Sequence, residues 1–81
     1  MDHSDVLARV TEIVRDTLDD DDIDLTAGTV AADVPGWDSL AHIRIMVAVE
    51  QAFRIRLKTD QITSLKDVGS LVSLIAQASS T

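Results

Sequence analysis

Val34-Pro35-Gly36 divides the chain. Proline fixes its own φ and biases the residue before it towards extended conformations, while glycine tolerates tight turns, so no regular helix runs through these three residues. The most apolar helical pattern of the sequence follows at once, from Asp38 to about Phe53, and the break therefore sets a helix mouth at Trp37-Asp38-Ser39-Leu40. Asp38 is the expected N-cap, its carboxylate accepting a free backbone N–H of the first turn, which puts Ser39 at the first helical position. The unpaired amides and positive dipole end of such a mouth favour an anion, so a phosphate on Ser39 would be stabilised without any protein cation. The same residues also describe an ordinary first-turn serine.

The remaining apolar spacing is helical as well. Val6, Leu7, Val10, Ile13, Val14 and Leu18 predict a first helix over about Ser4 to Leu18, capped by Ser4 or Asp2, with Asp5 favourably placed in its first turn. Asp19-Asp20-Asp21-Asp22 ends it, because four like charges oppose one another and the helix dipole. From Asp19 to Trp37 the sequence is non-periodic, a long loop for a small chain, with Ile23, Leu25 and Val30 as anchors and Asp24, Thr26 and Asp33 left in water. A single helical turn fits within it.

The helix from Asp38 carries two apolar stripes. Ile45, Met46, Val49, Ala52 and Phe53 make one, and Leu40, Ile43 and Val47 make another on a different side. The second is either a further core contact or a docking surface. Ile55 and Leu57 then lie in a connector with no strand partner, Thr59 caps a short turn through Ile62, and Asp67 caps a last helix bearing Val68, Leu71, Val72, Leu74, Ile75 and Ala78. The expected fold is all-α, a small four-helix bundle of three principal helices and one short one, forming a single domain over residues 1–81 with a polar tail at 79–81.

Composition narrows function by exclusion. Eighty-one residues leave little room for an enclosed active site. With 14 acidic against 7 basic residues, the net charge of -7 repels nucleic acid and anionic membranes and suits partners with basic surfaces. The absence of cysteine removes disulfides, thiolate catalysis and thiolate metal sites. The acidic start Met1-Asp2-His3-Ser4-Asp5 is no secretory signal and no run reaches membrane-spanning length, so a cytoplasmic monomer is expected. Asp20, Asp22 and Asp24 alternate like calcium ligands, but the sixth and twelfth loop positions hold Leu25 and Ala31 instead of glycine and glutamate, and a solvated loop is the better account. Ser39, His42 and Asp38 supply hydrolase residue types without the G-x-S-x-G elbow. His3 and His42 alone make no zinc site, and both are read as surface residues. No catalytic residue and no metal is expected; the function lies in being modified, carrying or binding.

The whole chain resembles the acyl carrier proteins of the phosphopantetheine-attachment type, in discrete, stand-alone form. The likeness rests on Asp38-Ser39-Leu40 opening the second helix, the apolar run Ile43 to Val49, Glu50 and Phe53, a short crossover and a last helix starting at Asp67-Val68. It implies that a phosphopantetheinyl transferase moves 4′-phosphopantetheine from coenzyme A to Ser39. The arm then carries acyl thioesters between acyl-loading and acyl-processing enzymes. It also implies that Leu40, Ile43, Arg44, Val47 and Glu50 face those partners. Carriers of primary fatty acid synthesis usually have acids where this chain has Ala41 and Arg44, so the resemblance leans towards a specialised, polyketide-like or mixed pathway. The alternative is an unmodified helical adaptor that binds a partner through Leu40, Ile43 and Val47.

Overall fold

The computed structural model describes residues 2–79. Helix α1, His3–Leu18, begins where Asp2 accepts the Ser4 N–H at 3.3 Å. It buries Val6, Val10, Ile13 and Val14, one stripe at helical spacing. The aspartate run ends it as expected: Asp19 turns left-handed at φ 53°, a conformation aspartate tolerates better than most residues, and its amide reaches back to the Arg15 and Asp16 carbonyls.

The long loop is fastened at both ends. Arg15 reaches from α1 to the Ile23 carbonyl (2.6 Å) and the Asp24 carboxylate (2.9 Å). Further on, the amides of Val68 and Gly69 donate to the Thr29 and Ala27 carbonyls, both at 2.8 Å. Ile23 and Leu25 are buried as expected; Val30 is only half-buried, and Val34 takes the third buried position instead. The expected helical turn is a 3₁₀ turn at Ala31–Asp33, next to Pro35 and to Gly36, whose φ of 88° suits only glycine.

Helix α2, Ser39–Phe53, buries Ala41, Ile45, Met46 and Val49. Ala52, expected on the same stripe, is exposed, because the chain leaves the bundle there and turns at Arg54 (φ 55°). Helix α3, Thr59–Thr63, starts one residue earlier than a Thr59 cap predicts: Lys58 is the N-cap, and its amide donates to the Gln61 side chain at 2.9 Å. Helix α4, Val68–Ser79, buries Val68, Leu71, Val72, Ile75 and Ala76, while Leu74 is half-buried. Ser79 is its last residue rather than the start of a tail, and Ser80 and Thr81 lie outside the described residues.

The core is aliphatic and lies where α1 packs on α2 and α4. Ile45, Met46, Leu71 and Ile75 are among its fully buried side chains, each worth about 1.5–3 kcal/mol of burial. Trp37, Phe53, Ile55, Leu57, Ile62 and Leu65 close its edges. No strand occurs among the described residues.

Candidate functional site

The mouth of α2 is built as the sequence predicts. Asp38 stays extended (φ -96°, ψ -172°), and its carboxylate accepts the Ala41 N–H at 2.8 Å while its carbonyl accepts that of His42 at 2.9 Å. The first two amides of the helix, those of Ser39 and Leu40, have no acceptor among the described residues. Ser39 is exposed, and its hydroxyl makes no hydrogen bond there. A reachable hydroxyl thus sits beside two free N–H donors at the positive end of a 15-residue helix. That donor set fits a phosphodiester, whose charge the amides and dipole offset.

One side of this mouth is apolar. Leu40, Ile43 and Val47 are exposed by 59%, 59% and 47%, so the second stripe is not a core contact. Arg44 is exposed between them and forms no ion pair among the described residues. Ala41 is buried and presents no side chain to a partner. Glu50 is half-buried, and its carboxylate accepts the Leu57 N–H at 3.1 Å, tying down the connector after α2.

The other side holds what the sequence reading left unassigned. Trp37 packs on the core edge and its indole N–H donates to His42 Nδ1 at 3.1 Å. His42 is half-buried rather than a surface residue, because the loop before α2 and helix α3 both close over its ring. The only sequence signal for this pair is their spacing of five, which brings the residue before a helix N-cap over the first turn. Together with Ala31, Ala32, Asp38, Ser39 and Thr63 they line a shallow, open depression beside the serine. Asp38, Ser39 and His42 share one helix turn, yet no hydrogen bond joins Ser39 to His42, so they form no activated nucleophile.

The aspartates of the loop gather separately: Asp20, Asp22, Asp24 and Asp33 line an open hollow with Thr29 and Pro35. No group of three or more histidine, aspartate or glutamate side chains among the described residues is placed to hold a metal. No described helix is long and apolar enough to cross a membrane.

Comparison with known proteins agrees with this geometry. The model of the phosphopantetheine attachment site family matches residues 5–75. An acyl carrier protein of Caulobacter vibrioides is 34% identical over 74 residues, 91% of this chain and 95% of that one. One from Phenylobacterium zucineum is 35% identical, over 91% of this chain and 94% of its own. The solution NMR structure of the holo acyl carrier protein from Geobacter metallireducens superposes with a TM-score of 0.84 at 37% identity, covering 90% of this chain and 84% of that chain.

Proposed function

The chain belongs to the phosphopantetheine-attachment family as an acyl carrier protein, and we propose that Ser39 is the residue that carries its arm. An acyl carrier protein is a carrier and not an enzyme, and its cofactor is covalently attached 4′-phosphopantetheine. Once attached, that group supplies a terminal thiol, which a chain without cysteine cannot offer itself. What supports Ser39 is one observation: it is an unpaired, exposed hydroxyl next to the free amides of a capped helix mouth. In the transfer, Ser39 loses its hydroxyl proton and forms the phosphodiester, and the nucleotide part of coenzyme A leaves. Asp38 keeps the first turn in place, and the amides of Ser39 and Leu40 hold the resulting charge. Intact mass after incubation with coenzyme A and a phosphopantetheinyl transferase is the test. One phosphopantetheine per chain is expected, and none on Ser39→Ala; a wild type that gains nothing from several active transferases returns the chain to an unmodified adaptor.

The partner face runs along Leu40, Ile43 and Val47 with Arg44 between them, and Glu50 contributes by holding the connector in shape. Arg44 reverses the charge that basic enzymes of primary fatty acid synthesis read, which favours partners from a specialised, polyketide-like or mixed pathway. Fatty-acid-synthesis enzymes are expected to use the loaded carrier poorly and to improve several-fold with Arg44→Glu. Equal turnover before and after that change would remove the argument for a separate pathway.

A further inference from the structure

The polar contacts beside Ser39 reach beyond the helix cap. Trp37 Nε1–H donates to His42 Nδ1 at 3.1 Å, and His42 Nε2 lies 3.4 Å from the Ile62 carbonyl oxygen. An indole nitrogen only donates and a carbonyl oxygen only accepts, so both bonds coexist only in the neutral ring with its proton on Nε2. The two rings also touch, with centroids 6.2 Å apart and planes tilted by 31°. Three separate segments meet in this relay: the loop before α2, the first turn of α2, and α3. The last is five residues long, and the Ile62 carbonyl lies in its final turn, where no later helical amide can pair with it.

We propose that His42 is a positioning residue: its neutral ring, accepting from Trp37 and donating to the Ile62 carbonyl, locks Trp37 and α3 together as the wall beside Ser39. Trp37, His42, Ser39 and Thr63 of α3 line the same depression, so the surface that a group on Ser39 lies against changes with the lock. The charged groups around the ring are Asp38, engaged by the Ala41 amide, and Lys66 and Asp67 of the α3–α4 connector, which line the small cleft beneath Trp37 and His42. The lock itself is independent of the attachment reading; only its effect on loading rests on Ser39.

Trp37 is the sole tryptophan, so its indole N–H gives one NMR resonance in the full-length apo chain. At neutral pH that resonance is expected at the position of an indole bonded to a protein acceptor in the wild type. In His42→Asn, which keeps an acceptor near the Nδ1 position, it stays close to that position. In His42→Phe it moves to the position of a water-bonded indole. Loading by the transferase at neutral pH then separates positioning from mere presence. His42→Phe raises KM about two- to tenfold, the range that one hydrogen bond spans, with kcat little changed, and His42→Asn recovers most of the loss. A resonance that keeps its wild-type position in His42→Phe overturns the proposal, as does a wild-type resonance already at the water-bonded position; the wild-type spectrum decides even where His42→Phe fails to fold. A wild type that is never loaded defeats the attachment reading and leaves the lock standing on its spectra.

Discussion

Of the three aspartate-capped helices, α2 behind Asp38 and α4 behind Asp67 share one geometry, each cap accepting the backbone N–H three residues on at 2.8 Å, where Asp2 of α1 accepts the one two residues on. Beyond the cap they diverge. At α4 the first two amides are taken by the Thr29 and Ala27 carbonyls of the long loop, and the Ser70 hydroxyl donates to Asp67 at 3.0 Å. At α2 the equivalent amides and the Ser39 hydroxyl have no partner among the described residues. One mouth is a fastening and the other keeps its donors free, both made from the same local signal. The difference is whether another segment of chain arrives to use the free donors.

Loading gives the sharpest break of that comparison. Ser39→Ala should remove all phosphopantetheine from the intact mass, whereas Ser70→Ala should leave loading unchanged; any modification of Ser70 would make the two mouths equivalent. Next in size is Gly69→Ala. An added Cβ would stand 2.8 Å from the Ala27 carbonyl oxygen and 3.1 Å from its Cβ, so the loop must shift. A loss of about 1–3 kcal/mol by urea denaturation is expected, opposite in sign to the gain of about 1 kcal/mol usual for this change inside a helix. Stabilisation instead would mean that the loop is not held there. Asp38→Ala should cost about 1 kcal/mol, the worth of an N-cap, by the same measurement.

The smallest effect concerns pH. The Ser70 backbone N–H and then its hydroxyl hold the Asp67 carboxyl below its ordinary value; desolvation opposes them, and Lys66 adds the weakest downward pull. A carboxylate depressed in the folded chain adds stability above its unfolded pKa, and that part is lost as pH falls through the folded value. Asp67→Asn keeps a cap acceptor but no charge. Its stability deficit in urea should therefore be present at neutral pH and shrink in acid, and a deficit independent of pH would assign the cap to geometry alone.

Most of the fold was legible because its signals are local. The apolar spacing of Val6, Val10, Ile13 and Val14 needs only the helical period, and the Asp38 cap needs only three residues of chain. The helix start at Ser39 was legible for the same reason. Trp37 and His42 were missed because their contact needs the loop before α2 to fold back over the helix, and the carbonyl of Ile62 lies twenty residues further along the chain. Glu50 looked like a surface acid because nothing in its neighbourhood announces that the Leu57 amide returns to it.

By itself, then, the sequence determined an all-helical chain with a capped helix mouth at Ser39, since caps, turns and amphipathic stripes are written within one or two turns. Tertiary structure decided which donors stay free. Val68 and Gly69 lose theirs to a loop some forty residues earlier, Ser39 and Leu40 keep theirs because no described segment crosses that mouth, and Leu40, Ile43 and Val47 stay exposed because α1 packs on a different side of α2. Hydrogen bonds and burial between distant segments depend on where the whole chain packs, and no local window contains that information.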